Sequence, residues 1–282
     1  MPELPEAETI VRGLRPRIVG STMATMEVVH ADVLTCPPEA FRERVSGHAI
    51  EGVGRRGKNV VIRLAHGGVV VVNLGMTGRL FPLASGEPPP IEASHPAVLF
   101  RFREGNTLLF DDTRRFGRVE HLNPSEWRER SRALGPEPLE RRFSVARLGE
   151  GLSTSRAPIR SWLLDQRRVA GIGNIYANEA LHRAGVDPRR AAGSLDPSEI
   201  RRLHRSIRSV LREAIEAGGT TIRDFRGADG VRGEFVRELA VYGKQSEPCP
   251  RCRTVIRRVV FGGRSAFLCP RCQPAADGVG SD

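Results

Sequence analysis

The sequence predicts an α+β, multi-domain protein: an N-terminal two-layer β-sandwich entered through a helix, a C-terminal helical helix-two-turn-helix domain, and a small β-hairpin pinned by cysteines. Three observations carry this reading. Apolar β-rich runs recur between residues 59 and 122, the apolar spacing turns helical after residue 158, and two Cys-x-x-Cys pairs lie near the end of the chain. The divisions fall at residues 1–130, at 131–240 with a linker included, and at 241–273, leaving 274–282 as a disordered tail.

The chain opens Met1-Pro2-Glu3-Leu4-Pro5-Glu6. Pro5 suits a first helical turn, Glu6 and Glu8 suit the positive end of the helix dipole, and Ala7, Ile10, Val11 and Leu14 repeat at helical spacing until Pro16. Strands are predicted over 59–64, 68–74, 97–103, 107–111 and 117–122, with glycine turns at 66–68 and 104–106. The proline-rich stretch 82–96 reads as a loop, and 123–143, mixing prolines and charges, as a linker.

The second half changes period. Ile159, Trp162 and Leu163 begin a helix that Gly171-Ile172-Gly173 interrupts before 175–184 resumes one. Asp196-Pro197-Ser198-Glu199 then supplies a cap, a first-turn proline and a capping-box acid. Ile200, Leu203, Ile207, Val210, Leu211, Ala214 and Ile215 trace its apolar face up to Gly218-Gly219. Arg201, Arg202, Arg205, Arg208 and Arg212 occupy the other faces, where a solvated surface and a nucleic-acid contact are both open readings.

Four of the five cysteines form Cys249-Pro-Arg-Cys252 and Cys269-Pro-Arg-Cys272, with sixteen residues between the pairs. Each pair makes a knuckle aiming two sulfurs at one point, and this spacing reads as a four-thiolate site for one structural Zn²⁺. Four protein ligands leave no position for water. Two redox pairs or a disulfide staple are the competing reading, but nothing points to an oxidising compartment. Strands over 254–261 and 265–268 make the hairpin, with Gly262-Gly263-Arg264 as its turn and Arg264 at the tip. Cys36 stands alone and reads as a small hydrophobe.

Lys plus Arg number 44 against 33 Asp plus Glu, a net charge of +11 that favours a polyanionic partner. Nucleic acid is the first candidate. A membrane is excluded as a spanned medium because no apolar run approaches about 18 residues, and the start has neither a charged n-region nor an apolar h-region. A soluble, cytoplasmic protein is expected.

The opening hexapeptide, Arg55-Arg56-Gly57-Lys58, Leu74-Gly75-Met76-Thr77-Gly78, Arg114-Arg115-Phe116-Gly117, Leu134-Gly135-Pro136-Glu137-Pro138-Leu139, Gly171-Ile172-Gly173-Asn174-Ile175-Tyr176-Ala177 and the cysteine hairpin occur in the order seen in the bacterial formamidopyrimidine-DNA glycosylases. The chain resembles that family nearly throughout, to about Gln273. The resemblance implies a bifunctional glycosylase and abasic-site lyase of base excision repair, a monomer associated with the bacterial nucleoid and acting on double-stranded DNA that contains oxidised purines or abasic sites. Removal of Met1 would leave Pro2 with a secondary α-amine. Such amines titrate at about 7.7–8.0 against about 10.4 for lysine, so Pro2 is a usable nucleophile at neutral pH.

The resemblance also implies residue roles. Glu3 donates a proton and Glu6 assists; Lys58 contacts a phosphate and donates in β-elimination; Arg264 clamps a phosphate and serves δ-elimination. Asn174, His95, Arg156 and Arg115 bind the DNA. Met76, Arg114 and Phe116 fill the gap left by the extruded base. Departures from the family pattern stand at Asn73, at Ala97 within His95-Pro96-Ala97, at Arg156 in place of a lysine, and at Glu234; Gly227–Gly233 resembles the loop that caps the lesion. Two other readings are an endonuclease VIII-like enzyme for oxidised pyrimidines and a catalytically silent zinc-ribbon binder of damaged DNA.

Overall fold

The computed structural model describes residues 2–221, 227–228 and 230–275, so most of the predicted tail and part of the glycine-rich 227–233 stretch lie outside the described residues. The chain divides into two compact units, Met1–Ala133 with Ala217–Val236, and Leu134–Glu216 with Arg237–Asp282. No described helix is long and apolar enough to cross a membrane.

The first unit opens with α1 (Leu4–Ile18), whose Leu4, Ile10, Val11, Leu14 and Ile18 are buried in one stripe. This helix runs past Pro16, where the sequence reading ends it. Pro16 lies exposed in the last turn and forfeits a single backbone bond there, while Ile18 on the buried side gains full burial. Two four-stranded antiparallel sheets follow, built from β1 (Met23–Val28), β2 (Ile50–Arg56), β3 (Asn59–Leu64), β4 (Val69–Asn73), β5 (Gly78–Leu83), β6 (Pro96–Phe102), β7 (Thr107–Asp112) and β8 (Arg118–Leu122). One sheet has the order β1-β6-β7-β5 and the other β2-β3-β4-β8. Between them lies a core that includes Phe41 of helix α2 (Pro38–Val45), Val60, Ile62, Val70, Val72, Phe100 and Phe110.

Three of these strands have no prediction, and each hides for its own reason. A register shift between Met23 and Thr25 breaks the alternation of β1. Two glycines, Gly52 and Gly54, weaken β2, and the guanidinium of the cross-strand partner Arg63 lies over Gly52 in the space a side chain would take. Pro82, read as loop, lies inside β5, which is an edge strand where a missing N–H is tolerated.

The stretch 123–143 is likewise more than a linker. Helix α3 (Pro124–Arg132) begins at a capping box in which Asn123 Oδ1 accepts from the Ser125 and Glu126 N–H groups. Its Trp127 covers Val61, Val69 and Val71 on the outer face of the second sheet, so the run Val69–Val72 is buried on both sides.

The second unit holds α4 (Val145–Leu152), α5 (Ile159–Leu164), α6 (Asn174–Ala184) and α7 (Pro197–Glu216), then the hairpin β9 (Arg257–Phe261) and β10 (Arg264–Leu268). Asp196 caps α7 as read, accepting from the Ser198 and Glu199 N–H groups. Two of the arginines left open on α7 are committed internally: Arg208 donates to the carbonyls of Pro138, Leu139 and Glu140, and Arg202 to that of Ala184. The hairpin turn is Gly262-Gly263 alone, both at positive φ, and Arg264 is the first residue of β10 rather than part of the turn.

Candidate active site and DNA-contact residues

Pro2 is buried immediately ahead of α1. Behind it Glu3 and Glu6, each 1% exposed, form a reciprocal capping box: Glu6 Oε2 accepts the Glu3 N–H at 2.8 Å, and the Glu3 side chain accepts from the Glu6 backbone. The other Glu6 oxygen accepts the Thr220 N–H at 2.7 Å. Glu6 is therefore a brace as well as an acid. The helix is seated on β2 by Arg15 donating to the Val53 carbonyl and by an Arg55–Glu8 ion pair at 3.2 Å. Lys58 is half-buried in the two-residue turn between β2 and β3, where Gly57 supplies the left-handed position.

Met76, Arg114 and Phe116 come together on a pair of adjacent crossovers. Residues 74–77 lead from β4 to β5, and 113–117 lead from β7 back to β8; Asn73 pairs with Arg118 and Gly78 with Asp112. The two loop backbones touch, since a Cβ on Gly75 would meet Phe116 C and Gly117 N at 2.6 Å. Arg114 Nη1 lies 3.2 Å from Met76 Sδ, and its guanidinium carbon lies 4.6 Å from the Phe116 ring centre. Met76 and Phe116 are 42% and 54% exposed, large apolar groups held in water. His95 is exposed nearby, its ring Nδ1 3.4 Å from Thr113 Oγ1. Arg115 departs from this group: its backbone is left-handed (φ 54°) and its Nε lies 3.5 Å from Asp32.

The strand end below this platform carries two buried acids that sequence reasoning passed over. Alternation along β7 sends them to opposite sides. Asp111 accepts the His95 N–H and pairs with Arg79, while Asp112 accepts from Thr77, Arg114 and Gly117. Asn73, noted as a departure, also has structural work, donating to Asn59 Oδ1 at 2.8 Å and accepting the Gly75 N–H at 3.0 Å.

In the second unit Asn174 starts α6 and its Oδ1 accepts from Arg160 Nη2 at 2.6 Å. Arg160, 1% exposed, also donates to the Ser265 carbonyl and stacks on Phe261 of β9. It thus ties the α5–α6 turn to the hairpin residue next to Arg264. Only an isolated arginine in an apolar helix segment marks it in the sequence. Arg264 and Arg156 are both exposed, the latter on the loop before α5.

The four hairpin cysteines converge. Their sulfurs all lie within 4.8 Å of one another, with Cys252 3.4 Å from Cys269 and from Cys272, and Cys249 3.9 Å from Cys272. A tetrahedron of Zn–S bonds has edges of about 3.8 Å, so the donor set fits one structural Zn²⁺. When bound, the ion supplies cohesion to the hairpin. His182 Nε2 lies 3.4 Å from Cys249 Sγ, and burial, with the charges of Arg251 and Arg183, pushes its pKa down to about 4, leaving a neutral ring that can donate to a thiolate.

These units and sites match known proteins along almost the whole chain. Family models described as formamidopyrimidine-DNA glycosylase N-terminal domain, formamidopyrimidine-DNA glycosylase H2TH domain, and zinc finger found in FPG and IleRS match residues 1–119, 134–226 and 246–275. A formamidopyrimidine-DNA glycosylase of Rhizorhabdus wittichii is 46% identical over 275 residues, covering 97% of this chain and all of the relative. The crystal structure of MutM (FPG) from Thermus thermophilus is 40% identical with a TM-score of 0.86, covering 98% of this chain and 100% of that one. Lactococcus lactis Fpg in complex with DNA containing an abasic site is 33% identical with a TM-score of 0.89, covering 97% and 100%. The fold and the zinc hairpin define a DNA-repair glycosylase. The chain belongs to the formamidopyrimidine-DNA glycosylase family and serves base excision repair.

Proposed function

We propose that the protein excises oxidised purines, 8-oxoguanine and formamidopyrimidines, from double-stranded DNA through a Schiff base on Pro2, and then cleaves the strand by β,δ-elimination. The observation that carries this reading is a buried Pro2 directly ahead of two buried carboxylates, Glu3 and Glu6. With Met1 removed, the Pro2 nitrogen attacks the sugar C1′ and the damaged base departs. The resulting iminium is cationic without a further proton, so it is the electron sink for elimination of the 3′ phosphate. Glu3 protonates the sugar ring oxygen; Glu6 holds the helix start and assists proton exchange.

The other roles follow the same reading. Lys58 and Arg264 contact phosphates and donate protons in the two eliminations, and Asn174, His95, Arg156 and Arg115 fix the DNA register. Met76, Arg114 and Phe116 occupy the gap, the arginine hydrogen-bonding the orphaned base. The place of work is the nucleoid of a bacterial cytoplasm. Support comes from the abasic-site DNA in the Lactococcus lactis complex and from a MutM complex with carbocyclic 8-oxo-G DNA.

Borohydride trapping tests it. Incubation with 8-oxoguanine duplex or abasic DNA is expected to give a covalent adduct whose mass places the DNA on Pro2. Absence of adduct with intact Pro2 favours the silent binder, and a lesion panel answered best by oxidised pyrimidines favours the endonuclease VIII-like reading.

A further inference from the structure

We propose that Asp112 is a positioning residue for base extrusion, locking Met76, Arg114 and Phe116 into one rigid wedge. This deepens the reading above, in which those three side chains enter the duplex. The inference starts from what Asp112 accepts. It is 1% exposed at the end of β7, and its carboxylate accepts from both crossovers, one oxygen bridging the two and the other holding the far end of the second. Oδ1 takes the Thr77 hydroxyl at 2.5 Å and the Arg114 N–H at 3.3 Å. Oδ2 takes the Gly117 N–H at 2.7 Å.

Thr77 closes the circuit. Having donated to Asp112, its oxygen accepts the Arg114 N–H at 3.1 Å, so the loop holding Met76 and the loop holding Arg114 and Phe116 share one acceptor and one hydroxyl relay. Below them the backbones are in contact at Gly75 and Gly117. Neither loop can slide without breaking bonds in the other. A wedge needs this stiffness, because unstacking a base step costs a few kcal/mol, and compliant loops would bend instead of parting the bases. The chemistry of the acceptor is equally specific. Asparagine at 112 would present an N–H₂ to one of the donors, leaving a buried donor facing a donor.

Single-turnover rates on two substrates separate this role from general stability: an 8-oxoguanine duplex, which requires extrusion and gap filling, and an abasic site in a single strand, which requires neither. Asp112→Asn and Thr77→Val are expected to slow duplex excision by about tenfold or more, while single-strand cleavage stays within about threefold of wild type. Thr77→Ser, which keeps the hydroxyl, is expected to restore duplex excision, and 2-aminopurine placed beside the lesion should brighten more slowly in the two impaired variants. If Asp112→Asn does not fold, Thr77→Val decides. Equal losses on both substrates, or unchanged duplex excision, overturn the inference. A wild-type protein that gives no borohydride adduct on the single strand removes the catalytic reading itself, a result distinct from either.

Discussion

Arg160 donates to Asn174 Oδ1 at 2.6 Å through the nitrogen that also reaches the Ser265 carbonyl. A fully buried guanidinium thus joins the first residue of α6 to the hairpin, and burial, with the neighbouring Arg264 charge, lowers its pKa from the usual arginine value. Arg160→Met keeps much of the apolar volume and removes the donors. It is expected to cost on the order of 2 kcal/mol in urea unfolding, because the Asn174 and Ser265 acceptors lose a partner. On the proposed role of Asn174 as a phosphate ligand, DNA affinity is expected to fall by about tenfold, read by fluorescence anisotropy, because Asn174 keeps its bonds to Ser265 and Asn178 but loses the guanidinium that fixes its Oδ1.

Glu3→Gln separates capping from proton transfer. The amide oxygen still accepts the Glu6 N–H, so thermal stability should barely move. Base excision should fall by about 10²-fold or more for want of the acid, while borohydride adducts on preformed abasic DNA persist. Loss of both activities in parallel would mean that Glu3 only shapes the site.

His121 is expected to make stability sensitive to acid. It is buried beside His66, with Nε2 atoms 3.4 Å apart, and near His48, Arg44 and Glu126. Burial first, then the charges of His66 and Arg44, depress its pKa below the ordinary histidine value, against a smaller opposing pull from Glu126. Below about pH 6.5 the unfolded chain takes up a proton that the folded chain refuses, so stability falls as pH drops through that value. His121→Gln should flatten the decline of Tm between about pH 7.5 and pH 5.5. An undiminished slope would assign the acid sensitivity elsewhere.

Chelation should unravel the hairpin, because a small ribbon draws its folding energy mainly from the metal. DNA binding should weaken, and circular dichroism should retain the β-sandwich signal of the first unit. Melting of the whole protein on metal removal would show that the two units are not independent in stability.

The parts of the molecule that were readable in the sequence are those whose chemistry is local. Cysteine spacing gave the hairpin, Asp196 to Glu199 gave the start of α7, and the motif residues Pro2, Glu3, Met76, Arg114 and Asn174 stand at element ends and turns. What escaped depends on partners distant in the chain. Asp112 reads as one acid among 33, and only folding brings Thr77 and Gly117 to it. Arg160 is lost among 44 cationic residues until Ser265 arrives. Asn123-x-x-Glu126 is a legible capping box, but the prolines and charges around it masked a helix whose stability comes from Trp127 on the sheet.

Chain order in the first unit bears on how the protein emerges from the ribosome. Glu6 is synthesised among the first residues, yet the Thr220 amide that it accepts belongs to a segment translated only after the whole of 134–216. A nascent chain that has completed both sheets still lacks the amide that Glu6 accepts, so the start of α1 reaches its final setting late, when most of the second unit has already been made.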